Sequence, residues 1–168
     1  MSILSLNFSI AALMFSVTSI ICQDKVKILL FQIPANICYS LSYFFGGFVV
    51  AGVGVIIATI RTIIFFAYTF SNKKISILWL SVFLICTIVC GLINFNKALD
   101  ILPIVGIGVF SYATWQSNEK VIKIGAAVLS ICLLIYNIFG GIYIGVIQES
   151  ILLISAILSI KKSKISIC

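Results

Sequence analysis

Seven long apolar stretches, separated by short polar or glycine-rich breaks, constrain this chain more than any other feature. A bilayer with a hydrocarbon core about 30 Å thick requires roughly 17–25 apolar residues for each helix that crosses it. The stretches of that length are Ile3–Cys22, Ile28–Phe45, Phe48–Phe70, Ile75–Ile93, Leu99–Trp115, Val121–Phe139 and Ile142–Ile160. The sequence therefore predicts an all-α membrane protein with seven transmembrane helices, forming a single transmembrane domain over residues 1–168.

The composition leaves little material for a water-facing domain. Only 9% of the residues are charged and 62% are hydrophobic, whereas a soluble domain carries about 25% charged residues. No basic segment precedes the first apolar stretch and no small-residue cleavage site interrupts it, so we expect this span to remain in the mature protein. The lipid bilayer is the partner that this composition predicts.

The lysines are distributed unequally between the two sides of the predicted topology. With seven spans, the loops after the first, third and fifth spans share a side with the C-terminal tail. That side holds Lys25, Lys27, Lys73, Lys74, Lys120, Lys123, Lys161, Lys162 and Lys164, and the other side holds Lys97. Because lysine in short loops marks the cytoplasmic side, we predict an external N-terminus and a cytoplasmic C-terminus. The net charge of +7 is thus a topology signal. The sequence has no basic face with interleaved aromatic residues, so it does not predict nucleic-acid binding.

Two parts of the chain are related at a spacing of 94 residues. The stretch "ICYSLSYFFGGF" (37–48) has the same Ile-Cys, six-residue gap and Phe-Gly-Gly as "ICLLIYNIFGGI" (131–142). The register predicts two three-helix repeats, about 3–70 and about 99–160, joined by a linker helix at about 75–93. Because one linker helix leaves both triplets the same way round in the membrane, the repeats are predicted to be parallel, as in the SWEET carriers. Each glycine pair is predicted to give a left-handed cap and a tight turn.

Residues 23–70 resemble the bacterial YgjV-type inner membrane proteins. The similarity lies in the loop "QDKVK", the following "LLFQ", the aromatic-rich end of the second span, and Arg61 in the third. The resemblance implies a multi-pass protein of the bacterial cytoplasmic (inner) membrane, and it implies no activity. It also implies a histidine near the end of the second span, where this chain has Ser42. The helix layout is similar to the 3+1+3 arrangement of SWEET/PQ-loop proteins.

Two ionisable residues, Arg61 and Glu149, lie deep within predicted spans. A charged side chain there costs at least about 2.5–3.5 kcal/mol on insertion scales, and it usually faces a bundle interior or a watery cavity. We interpret Arg61 as an anion contact and Glu149 as a proton- or ion-coupling group, both facing the space between the repeats. For Arg61 the alternative is that its long side chain reaches the cytoplasmic headgroups.

The second predicted span carries a stripe of polar residues at helical spacing. The stripe consists of Gln32, Asn36, Tyr39, Ser40 and Tyr43. The predicted solute-binding residues are Gln32, Asn36, Tyr39 and Tyr43 from this stripe, Asn137 at the position that matches Tyr43, and Arg61 in the third span. Such a face suits a cavity for a small neutral or zwitterionic solute, and the alternative is hydrogen bonding between helices, worth about 0.6 kcal/mol per pair. In the second repeat, Ser130 and Asn137 take the places of Asn36 and Tyr43, so the predicted site is asymmetric.

No pattern in the chain predicts catalysis, a metal or a cofactor. The sequence contains no histidine, which is the usual base of a serine triad, and its six cysteines include no Cys-x-x-Cys pair. We therefore expect a protein that is not an enzyme. Two functions remain open: a small-solute transporter working by alternating access between the two repeats, and a non-transporting assembly or substrate-capture subunit acting with partner proteins. The oligomeric state is not predicted.

Overall fold

The structure, a computed structural model, describes residues 3–46, 49–93, 95, 97–140 and 143–165. These residues form seven α-helices and one 3-10 turn, and no strand occurs among them. The helices are α1 (Ile3–Ile21), α2 (Lys25–Phe45), α3 (Val49–Phe70), α4 (Ile77–Ile93), α5 (Ile101–Trp115), α6 (Glu119–Gly140) and α7 (Tyr143–Ile165). The predicted all-α class is confirmed, and each predicted span overlaps one helix.

Long apolar helices identify the chain as a membrane protein. Within the described ranges, six segments are long and apolar enough to cross a bilayer, and α4, at 17 residues, is shorter. Its length equals the lower limit of about 17 residues for a spanning helix. Large apolar side chains are widely exposed, including Leu78 at 71% and Ile93 at 77%. Surfaces of this kind are solvated by lipid rather than by water.

The chain divides into two compact units, with the boundary after Ile75. Unit 1 contains α1, α2 and α3, and unit 2 contains α4 to α7. In unit 1, α2 packs against both α1 and α3. In unit 2, α6 packs against both α5 and α7, while α4 packs against α5. Each unit therefore has a middle helix with one partner helix on either side.

Serine hydroxyls hold α1 against α2 in unit 1. The Ser5 hydroxyl donates to the Ser42 carbonyl and the Ser42 hydroxyl donates to the Ser5 carbonyl, both at 2.9 Å. Near the other end of the pair, the Ser19 hydroxyl donates to the carbonyl of Ile28 at 2.8 Å. Because serine is small, it allows two helices to approach closely and to bond across their interface.

Small residues have the same effect in unit 2, where they line the contact between α5 and α6. A Cβ atom added to Gly125 would overlap the Cβ of Ala113, and one added to Gly106 would lie 3.1 Å from the Cβ of Cys132. At the start of α5, the Tyr136 hydroxyl of α6 forms a side-chain hydrogen bond with Asp100. Close helix contact within this unit therefore depends on glycine.

The ends of the helices follow local capping chemistry. The Asp24 carboxylate accepts a hydrogen bond from the Val26 amide at the start of α2, as expected for an N-cap. At the end of α3, Asn72 has a φ of 53°, and the amide of Lys73 donates to the Tyr68 carbonyl, a glycine-like helix end. The cap of α2 differs from the prediction, because Gly46 is right-handed with a φ of −84°. Gly47 and Gly141 lie outside the described residues.

The start of α5 also differs from the predicted boundary at Leu99. Residues Ala98–Asp100 form a 3-10 turn, and the α-helix begins at Ile101. Pro103 has no amide hydrogen to donate to the carbonyl four residues earlier, and the Asp100 carboxylate accepts from the Lys97 amide at 2.7 Å. Both features favour a tight turn before the α-helix.

Candidate functional site

A polar contact joins the middle and third helices of unit 1. The side-chain amide of Asn36 on α2 donates to the hydroxyl of Thr62 on α3 at 3.4 Å. Thr62 is 1% exposed, and its own hydroxyl donates to the Ala58 carbonyl within α3. One turn before Asn36, Gln32 is half-buried, and its amide oxygen has no hydrogen-bond partner among the residues that the structure describes. Gln32 and Asn36 thus place polar groups toward the interior of an apolar helix pair.

Arg61 lies next to this contact, directly before Thr62 in α3. It is 12 residues from the start of α3 at Val49, about 18 Å along the helix axis at 1.5 Å per residue. Its side chain is 4% exposed. The Arg61 side chain is thus packed among protein atoms, and its roles as an anion contact or as a headgroup contact both stay predictions.

The rest of the α2 stripe has mixed surroundings. The Ser40 hydroxyl is buried and donates to the Gly52 carbonyl of α3 at 3.2 Å. Tyr39 is half-buried, whereas Tyr43, near the end of α2, is 37% exposed. The alternative interpretation, hydrogen bonding between helices, therefore accounts for Ser40, while the structure leaves Tyr43 on the surface of the chain.

In unit 2, a polar contact again joins the middle and third helices. The Ser130 side chain on α6 forms a hydrogen bond with the Glu149 side chain on α7. Ser130 is 4% exposed and Glu149 is half-buried. One turn before Glu149, Gly145 lies against Asn137, since an added Cβ there would overlap the Asn137 side chain. Asn137 and Glu149, both predicted from the sequence, are thus brought to one interface.

Lys123 is a buried charge that the sequence interpretation missed. It was counted with the cytoplasmic-side lysines at the start of the predicted span Val121–Phe139, and it lies in the second turn of α6, where it is 1% exposed. Its ammonium group has no hydrogen-bond partner in the described part of the chain. The 94-residue register contained the signal, because it places Lys123 on Leu29, an apolar residue that is 0% exposed.

The comparison with known families decides the class of this protein. The family model Imp-YgjV, described as a bacterial inner membrane protein, matches residues 3–165. The chain belongs to the Imp-YgjV family. The match includes all seven helices, whereas the resemblance in the sequence was confined to residues 23–70. None of the curated proteins matches the chain, and no solved structure does, so the similarity to SWEET/PQ-loop architecture stays a prediction.

Membership of Imp-YgjV gives this protein a location, the bacterial inner membrane, and the family description names no substrate. It also sharpens the question of Ser42, where the resemblance implies histidine. The Ser42 hydroxyl lies 2.6 Å from the Ser9 hydroxyl and donates to the Ser5 carbonyl. Since Ser42 is 6% exposed and lacks a group that titrates near neutral pH, its role in this Imp-YgjV protein is to hold α1 against α2.

Proposed function

We propose that this Imp-YgjV protein transports a small polar solute across the inner membrane by alternating access, using two parallel three-helix repeats. One observation carries the proposal. In each unit, the middle helix makes a polar contact with the third helix from the same register position: Asn36 to Thr62, and Ser130 to Glu149. Polar groups inside apolar spans are costly and mark solute or ion pathways in membrane proteins.

One helix boundary supports the repeat on which this mechanism rests. Lys25 and Glu119, the first residues of α2 and α6, are 94 positions apart. The capping agrees as well. Just as Asp24 accepts from the amide two residues later, the Asn118 side chain accepts from the Lys120 amide at 2.9 Å, and Asn118 is 94 residues after Asp24.

The pattern of burial gives further support to the 94-residue register. Six equivalent pairs are buried at both positions: Ala12 and Gly106, Ser19 and Ala113, Ile28 and Ile122, Leu29 and Lys123, Thr62 and Ala156, and Phe65 and Ser159. These pairs include members from all three helices of each triplet. At these six pairs of positions, burial is retained even where the residue types differ.

The proposed roles follow from the chemistry of the side chains. Glu149 is the group that gains and loses a proton or binds the coupling ion, and Arg61 contacts an anionic group of the solute. Gln32, Asn36, Tyr39, Tyr43 and Asn137 supply hydrogen bonds to its neutral polar groups. We further propose that the protein performs no chemical reaction, and that its N-terminus is external and its C-terminus cytoplasmic.

Uptake by purified protein in proteoliposomes tests this proposal. The vesicles are incubated with a pool of small polar metabolites, and their contents are identified by mass spectrometry. We expect protein-dependent uptake of at least one neutral or zwitterionic solute, reduced in Arg61→Gln and in Glu149→Gln but retained in the control Lys97→Gln. If folded protein takes up none of the pool, transport of these solutes is refuted.

The same preparation tests the alternative function. A substrate-capture subunit would bind a pool member and release it on denaturation without moving it across the membrane. Binding without uptake would therefore replace the transporter by a capture subunit that acts with partner proteins.

A further inference from the structure

Lys123 combines burial with an ammonium group that no hydrogen bond satisfies in the described part of the chain. Its side chain is 1% exposed, and its ammonium has no hydrogen-bond partner among the described residues, Glu119 one turn earlier included. Charged groups buried in proteins are normally paired or hydrogen-bonded, because an isolated one carries a large desolvation cost. Lys123 therefore either destabilises the fold without compensation or contacts a ligand that balances its charge.

The fold of unit 2 does not require a charge at this position. In unit 1, the equivalent position is Leu29, which is 0% exposed in a helix that starts at the same register position. An apolar side chain therefore satisfies the same packing in α2. The lysine in α6 adds a charge to a position that packing alone assigns to a hydrophobe.

The surroundings of Lys123 suit a phosphate group. It lies four residues after the start of α6, about 6 Å along the axis, and a helical side chain leans toward the N-terminus of its helix. The N-terminus of a helix carries a partial positive charge, which favours anions. In α6 the Asn118 side chain and carbonyl already accept from the amides of Lys120 and Val121, and Glu119 lies in the same turn, so the Lys123 ammonium is the group that would hold an anion here. The contact of Ala113 with Gly125 sets Lys123 level with the last turn of α5, where Thr114 is buried. Lysine is a common phosphate ligand, acting as a point charge.

We propose that Lys123 binds a phosphate group at the end of unit 2 where α6 begins. By the lysine distribution, that end is the cytoplasmic one, and a phosphate reaches it either from a phospholipid headgroup or as a soluble anion. The site neutralises the buried ammonium and stabilises the packing of α6 on its neighbours. This proposal is independent of whether the protein transports a solute.

Thermal unfolding in lipid nanodiscs tests the site. Inorganic phosphate is titrated at constant ionic strength in nanodiscs of phosphatidylcholine, and in a separate series phosphatidylglycerol replaces part of the phosphatidylcholine without added phosphate. We expect one of the two series to raise the Tm by about 2–4 °C, the usual response of a chain of this size to a moderately bound ligand. A response to phosphate identifies a soluble anion, and a response to phosphatidylglycerol alone identifies the headgroup.

Variants separate this site from general attraction to the other lysines. Lys123→Leu, which introduces the residue of unit 1, should fold and lose the response, and Lys123→Met is made beside it in case the branched side chain does not fit. Lys120→Gln removes a neighbouring charge and should keep the response, as should Lys123→Arg. If the native chain responds to neither series, or if the Leu and Met variants respond as the native chain does, the phosphate site is refuted.

Discussion

In each of units 1 and 2 a middle helix packs between two others, and the two units differ in the charges that these helices carry. Both have a middle helix packed between two others, both cap that helix with an Asx side chain, and both bond it to the third helix from one equivalent position. The charges follow no such symmetry. Arg61 in α3 corresponds to Ser155 in α7, and Glu149 in α7 corresponds to Val55 in α3.

This difference separates the residues that form the helix arrangement from those that serve another purpose. A charge that the arrangement required would occur in both units, and Val55 and Ser155 show that neutral side chains suffice at those positions. Since a charge within a span is costly, this difference agrees with our proposal that Arg61 and Glu149 serve a ligand or an ion. The comparison of the two units therefore agrees with the proposed binding role of Arg61 and Glu149. The variants below are chosen to test whether the units differ in function as they differ in charge.

The largest effect is expected for Glu149→Gln. This variant removes the carboxylate of α7, whose equivalent in unit 1 is the apolar Val55. Glutamine keeps the size and the hydrogen bonding to Ser130 but cannot exchange a proton at neutral pH. Transport should lose its dependence on pH, while expression stays intact. Uptake measured across a series of pH values, with Glu119→Gln as the control acid, checks this. A Gln variant that transports normally at every pH would remove the coupling role.

The next effect is expected for Arg61→Gln. A hydrogen bond to a charged group contributes about 1.5–3 kcal/mol, so uptake of a solute with an anionic group should fall by about tenfold or more. Ser155→Ala at the equivalent position of unit 2 should change uptake little, because its hydroxyl bonds the Ile151 carbonyl of its own helix at 2.8 Å. Equal losses in the two variants would show that the position matters for packing and not for the charge.

A smaller effect, on stability alone, is expected for Gly125→Ala. The new methyl group would overlap Ala113 at the contact of α5 with α6, and overpacking typically costs about 1–3 kcal/mol, which corresponds to a fall in Tm of about 2–12 °C for a chain of this size. Gly54→Ala is the matched control, since nothing lies within 4 Å of a Cβ added there. Thermal unfolding in detergent compares the two, and a Tm that falls equally in both would contradict the described packing.

The smallest effect is expected for Asn36→Ala, which removes the hydrogen bond to Thr62. Hydrogen bonds between membrane helices average about 0.6 kcal/mol, so the Tm should fall by only about 1–2 °C. If Asn36 also binds solute, uptake should fall further than this loss of stability explains. An unchanged uptake with the small fall in Tm would assign Asn36 to helix packing.

The sequence predicted the helices well because the breaks between them are chemically distinct from the spans. Charged loops and glycine pairs delimit the apolar stretches, so the predicted and observed ends of α2 and α3 coincide at Phe45 and Phe70. The start of α5 was missed because the backbone of Lys97 bonds to the Asp100 side chain, a local competition that hydropathy does not report. The conformation of Gly46 was missed because a glycine pair offers two places for a turn.

The candidate site was predicted in part. Deep charges within apolar spans pointed to Arg61 and Glu149, because the cost of such residues is a property of the sequence. Their partners were not foreseen, since the contact of Glu149 with Ser130 depends on how α6 and α7 align. Lys123 was missed because a lysine near a predicted loop is usually a topology signal. Its equivalence to the buried Leu29 is the observation that distinguishes it.

The central proposal is that the two helix triplets are parallel repeats, and cysteine labelling tests it most directly. Asp24→Cys and Asn118→Cys, placed at the equivalent N-caps of α2 and α6, are made singly in a chain with Cys22 and Cys168 replaced by serine. A membrane-impermeant maleimide is then applied to right-side-out and inside-out vesicles. The account predicts that both cysteines react in inside-out vesicles only, because the proposed topology puts both caps on the cytoplasmic side. Reaction of the two cysteines from opposite sides would contradict parallel repeats and the proposed mechanism with them.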